Sequence, residues 1–134
     1  MRSLAVALLL LAASSASSAA AEAPIVFLRD VWPLFARDCI ACHSVKQRYA
    51  NLQLDSPARI LQGGDIGVAV VPGQPEQGEL LRRLALPADS PDRMPRERKP
   101  ITPAELTRIR RWIAEGAQFG GWIGTGAAMP GGAR

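Results

Sequence analysis

Cys39-Ile40-Ala41-Cys42-His43 holds all the thiol and imidazole chemistry of the chain. The 134-residue sequence has two cysteines and one histidine, and all of them fall in this pentapeptide. Two thiols separated by two residues are spaced to form thioethers with the two vinyl groups of one porphyrin. The histidine that follows is carried under the iron as its proximal ligand. The C-x-x-C-H pattern therefore predicts covalently attached haem c, one per chain, bound through Cys39, Cys42 and His43.

Other uses of the same residues fit less well. A thioredoxin-like dithiol expects a βαβ setting, and no such pattern is visible. A closed zinc site takes four Cys or His ligands, and the chain offers three. Two free thiols beside an unrelated histidine would be coincidence, since one short motif uses up both residue types.

A lone histidine leaves the sixth iron position to Met94, Met129, a lysine or water; Met1 leaves with the leader described below. Met94 lies between Pro91 and Pro95, whose fixed φ angles stiffen its loop. Met129 sits in a glycine-rich tail, where holding it on iron costs much more ordering entropy. Met94 is the expected distal ligand. A thioether favours ferrous iron, so His43/Met94 ligation predicts a raised reduction potential.

The elements around these residues begin after residue 21. Arg2 is followed by an apolar run from Ala5 to Ala13 and by small residues ending in Ala19-Ala20-Ala21. That is the pattern of a secretory signal peptide, residues 1–21, cleaved after Ala21. The run is too short to span a bilayer, and no stable membrane insertion is expected after cleavage. Export to the periplasm fits the motif. Bacteria form the haem thioethers on the exported side of the membrane, where bare C-x-x-C thiols would oxidise.

The formal charge of +4 falls by one when Arg2 leaves, and two haem propionates offset most of the rest. No aromatic side chains interleave with the basic ones as a base-stacking surface requires. Nucleic acid is therefore not an expected partner. A domain this small buries little surface of its own, and a covalent porphyrin would supply much of its interior.

One domain is expected over residues 22–119, followed by a Gly-rich flexible tail over 120–134. A first helix is read over 24–43, with Asp30 as N-cap, Pro33 in its first turn, and Phe27, Val31, Leu34 and Phe35 on one stripe. Trp32 and Phe35 are read as core packing. Residues 44–55 read as a loop round one haem edge, where Tyr49 or Arg48 could meet a propionate. Ser56-Pro57 opens a short helix closed by Gly63-Gly64. An extended apolar segment runs from Ile66 to Pro72, with Val68, Val70 and Val71 on the haem face or in a short strand. A helix follows from Pro75, with Leu80, Leu81 and Leu84 inward and Arg82 and Arg83 outward. A proline-rich loop carries Met94. Thr102-Pro103-Ala104-Glu105 is a capping box for a last helix, whose buried stripe is Leu106, Ile109, Trp112 and Ile113, with Gly116 at C′.

The order of helix with C-x-x-C-H, loops, and methionine before a final helix resembles class I cytochromes c. It is most similar to the small cytochrome c domains of planctomycete-type bacterial proteins. The segments that carry the likeness are Asp30-Val31-Trp32-Pro33, Leu54-Asp55-Ser56, Gly63-Gly64-Asp65, Val71-Pro72-Gly73 with Pro75-Glu76, Leu80-Leu81-Arg82-Arg83, Met94-Pro95, and Arg111-Trp112-Ile113 with Glu115-Gly116-Ala117. The resemblance implies an all-α, cytochrome c-like helical domain wrapped around one covalent haem, and one-electron transfer. It carries Cys39 and Cys42 over as thioether residues, His43 as proximal ligand and Met94 as distal ligand. Two positions depart from the family pattern: Ser44 stands where Gly often follows the histidine, and Arg96 where a second Pro often follows Met-Pro.

The expected function is that of an exported monohaem electron carrier, not an enzyme, exchanging electrons with redox partner proteins, a donor and an acceptor. Two other roles use the same residues: a haem subunit of a periplasmic dehydrogenase complex, and a gas-binding sensor with a labile distal site. Arg93, Arg96, Arg98 and Lys99 flank the methionine and form a candidate docking patch for an acidic partner.

Overall fold

The computed structural model describes residues 22–125. The expected signal peptide and Met129 lie outside the described residues. The first turn is a π-helical segment, Phe27–Val31, that runs directly into α1, Trp32–Asp38. Asp30 is not the N-cap expected of it. It lies inside the turn, and its carboxylate reaches back to accept the Val26 N–H at 2.7 Å. The helix also stops earlier than residue 43. The thiol motif is a turn beyond α1, tied to it where the Cys39 N–H donates to the Phe35 carbonyl at 2.9 Å.

The fold is not purely helical, as the all-α expectation had it. Two short strands, β1 (His43–Ser44) and β2 (Gln47–Arg48), pair antiparallel with His43 opposite Arg48. Two residues per strand are too few for side-chain alternation to register in the sequence. A 3-10 turn, Tyr49–Asn51, follows, with Ala50 and Asn51 at positive φ.

The next elements follow their sequence signals closely. α2 is Pro57–Gln62, with Pro at its start and Gly63 at its end. Gly63 has φ 79°, and a Cβ there would lie 2.3 Å from the Gly67 carbonyl oxygen; a Cβ on Gly64 would lie 2.5 Å from that of Ala50. Both contacts are too short for any side chain, so the Gly-Gly pair lets the 64–67 turn close against the 49–51 segment. A 3-10 turn, Pro75–Gln77, leads into α3, Glu79–Leu84, which buries Leu80, Leu81 and Leu84. The last helix, α4, is Pro103–Ala114. Both halves of its capping box form: the Thr102 hydroxyl accepts the Glu105 N–H at 3.3 Å, and the Glu105 carboxylate accepts the Thr102 N–H at 2.8 Å. Gly116 adopts φ 98° just past its end.

The core joins the π-helical turn, α1, α3 and α4 through Val31, Leu34, Phe35, Leu81, Ile109, Trp112 and Ile113. At one side Phe27 packs against Trp32, Phe35, Trp112, Phe119 and Trp122, with ring centroids 4.9 to 6.3 Å apart. Trp122 is only 2% exposed. The Thr125 N–H donates to the Asp55 carbonyl at 2.9 Å. Past the boundary expected at residue 119, Trp122 is therefore still packed on the core and the backbone at Thr125 is still tied to Asp55. Large apolar area on Trp122 outweighs the glycines around it.

Candidate haem site

His43, Cys39, Cys42 and Met94 come from three places in the fold and line one cavity of about 610 Å³. That volume lies within the roughly 300–1,000 Å³ range of cofactor pockets. The turn after α1 supplies the two cysteines, β1 supplies the histidine, and the loop between α3 and α4 supplies the methionine. Leu52, Leu54, Ala69, Leu80 and Leu84 form apolar wall, and Glu79, Arg83, Asp92, Arg96 and Arg98 give a charged rim. An amphiphilic macrocycle with two carboxylate tails wants such a division between apolar wall and charged edge.

Each donor is held by its own neighbours. The His43 N–H donates to the Cys39 carbonyl at 2.9 Å, so the imidazole rises from the turn that bears the thiols. The His43 carbonyl accepts the Leu54 N–H at 2.8 Å, which fixes β1 against the following segment. Asp55 supports that segment from within. It is buried, and its carboxylate accepts the Val45 N–H at 2.7 Å and the Gln53 side-chain amide at 2.6 Å. The Met94 N–H donates to the Arg83 carbonyl at 3.1 Å, which anchors the methionine to the end of α3.

Burial draws the His43 imidazole below its usual pKa, against a smaller opposing effect of the Leu52 and Tyr49 carbonyls. Neither carbonyl forms a hydrogen bond to His43 Nδ1, which is buried without a partner. A neutral imidazole is the form that ligates a metal. The Cys39 thiol is pushed up to about 12, chiefly by burial and secondarily by Asp38, while Arg37 and Arg98 oppose the rise. A dithiol exchange site needs the reverse, a thiol shifted toward thiolate at neutral pH. Among the described residues no group of three His, Cys, Asp or Glu side chains is placed to hold a metal ion by itself. Two thiols, one imidazole and one thioether around an apolar cavity are the donor set that suits a covalent haem.

Several surrounding residues depart from their sequence reading. Tyr49 lines the cavity, whereas Arg48 does not. Ile66 and Ala69 line it, but Val68 is exposed and Val70 is packed in the core. Arg83 is turned to the rim, where its guanidinium bonds Glu79 at 3.2 Å and the Asp92 carbonyl at 3.2 Å. Of the expected docking arginines, Arg93, Arg96 and Arg98 all donate to backbone carbonyls. The leucines of the wall were legible only as core residues, since periodicity does not tell a cavity lining from a packed interior.

A small helical domain with a C-x-x-C-H turn opening onto one apolar cavity has the features of a cytochrome c domain. Residues 39–97 match the family model described as Planctomycete cytochrome C, the family that the motifs resemble. The matched stretch begins at the first motif cysteine and extends just past Met94, so it contains all four donors. No curated protein and no solved structure is significantly similar to the chain.

Proposed function

We propose that this protein is an exported, monohaem c-type cytochrome of the periplasm that passes single electrons between redox partner proteins, as a carrier and not as an enzyme. The observation that carries the reading is the convergence of Cys39, Cys42, His43 and Met94 on one cavity. When bound, haem supplies a one-electron ferric/ferrous couple. The thioethers of Cys39 and Cys42 keep it from dissociating in either state. His43 and Met94 would hold the iron, and a thioether donor would favour its ferrous form. Leu52, Leu54, Leu80 and Leu84 exclude water from the cavity, which lowers the local dielectric and raises the cost of the extra charge on ferric iron. Arg83 and Arg98 at the rim offer positive partners for the propionates.

The test is intact-mass measurement of the protein matured in a periplasm with haem-attachment machinery. The expected product is coloured and heavier than the polypeptide by one haem. A colourless product, with its sulfurs free or joined to each other, overturns the reading.

A further inference from the structure

The segment just after Met94 has unusual backbone support. Among the described residues, the backbone of residues 95–101 forms no more than a weak turn at Arg96 and Glu97 and pairs with no other segment. Glu97 in this segment holds φ 57°, a conformation that residues with a side chain seldom adopt. A strained stretch with no ladder of its own needs other anchors to stay in one place. Two short side-chain hydrogen bonds provide them, beside a longer one from the Arg93 Nη2 to the Arg98 carbonyl at 3.5 Å. The Arg96 Nη2 donates to the Pro91 carbonyl at 2.7 Å, closing the loop on itself across the methionine. The Arg98 Nη1 donates to the Arg37 carbonyl at 3.0 Å, tying the loop to the last turn of α1, directly ahead of the thiol motif.

We propose that Arg96 and Arg98 are positioning residues that hold the Met94 loop closed over the cavity. The proposal rests on Met94 being the distal ligand, and it concerns what keeps that sulfur in place. Arg96 occupies the position where the resembled family often has a second proline. Its guanidinium restrains by a hydrogen bond what a ring would restrain covalently. Among the described residues the Arg96 N–H donates no hydrogen bond, so a proline there removes no donor that they use. Arg98 does a second job: it ties the methionine side of the cavity to the helix that leads into the thiol motif.

The experiment compares the haem-loaded parent with Met94→Ala, Arg96→Ala, Arg98→Ala and Arg96→Pro. Two quantities are read: the long-wavelength sulfur-to-iron charge-transfer band of the ferric protein, and the rate of carbon monoxide binding to the ferrous protein. The parent should show the band and bind carbon monoxide slowly, and Met94→Ala should lose the band and bind fast. Arg96→Ala and Arg98→Ala should each weaken the band and speed binding about three- to tenfold, as expected for loss of one solvent-exposed hydrogen bond. Arg96→Pro should restore the parent's behaviour. Parent-like binding in both alanine variants overturns the proposal while leaving Met94 ligation intact. Arg96→Pro behaving like Arg96→Ala overturns the restraining role given to Arg96. A parent without the band, binding as fast as Met94→Ala, removes Met94 ligation itself and the proposal with it. Arg98→Ala sits at a separate anchor, so it decides the matter should Arg96→Ala fail to accumulate.

Discussion

Cys39 and Cys42 differ in setting although two residues separate them. Cys39 is half-buried and faces a strong penalty for ionising, whereas Cys42 is exposed. His43 beside them is buried and unpaired at Nδ1. An orphaned buried polar atom costs stability, and such costs are tolerated where a site needs the group free. Asp30 shows the opposite situation, an ionised group with several partners. Its carboxyl is held down to about 2 from an ordinary value of 3.8, first by the Arg29 guanidinium and with help from the Val26 N–H. Its folded pKa lies below its unfolded one. The stability it adds is therefore complete above about pH 4 and disappears as the pH falls through about 2. In urea unfolding, Asp30→Asn should be less stable than the parent at pH 6, and the gap should close as the pH approaches 2. A gap that persists unchanged to that pH would mean that the charge on Asp30 is not what matters.

Among the elements, α4 was the most legible in sequence, because its start is written in local chemistry. Thr102, Pro103 and Glu105 each satisfy a requirement of the first turn, and both reciprocal hydrogen bonds form. Thr102→Ala should cost about 1 kcal/mol in global stability, measured by chemical denaturation. A variant as stable as the parent would show that the helix is held by packing alone. α2 and α3 were legible for similar reasons, since Pro57 and Gly63 mark one and the leucine spacing marks the other. The hairpin at His43–Arg48 was not legible. Its strands are two residues long, and it exists because the Leu54 N–H and the Asp55 carboxylate, both later in the chain, support it. The Met94 loop was read correctly as a loop, but its arginines were read only as a candidate docking patch and not as donors to backbone carbonyls. Nothing in composition distinguishes a guanidinium facing water from one folded back on a carbonyl.

For the molecule as a whole, Cys39, Cys42 and His43 stood out in sequence because the motif is short and uses every cysteine and histidine present, and Met94 stood out because Pro91 and Pro95 flank it. The cavity that receives them was not legible, since it depends on packing between segments far apart in sequence. The packing of Trp122 past residue 119 was not legible either, because local composition around Gly120, Gly121 and Gly124 signals a tail while Trp122 signals a core. Trp122→Ala should destabilise the protein by about 3 kcal/mol, the lower end of the cost of emptying a buried aromatic site. A loose tail would instead leave the denaturation midpoint unmoved, which makes that midpoint the deciding measurement.

All three tryptophans of the chain, Trp32, Trp112 and Trp122, belong to the aromatic cluster around Phe27, and none of them lines the cavity. Attached pigment takes up indole emission by energy transfer across a domain this small, so ultraviolet-excited emission rises only when the junction of the domain's beginning and end moves away from the pigment. Visible absorption, once pigment is attached, watches the other compartment. Loosening of the terminal clasp and loosening of the pigment pocket thus give separate optical signals in a single unlabelled sample.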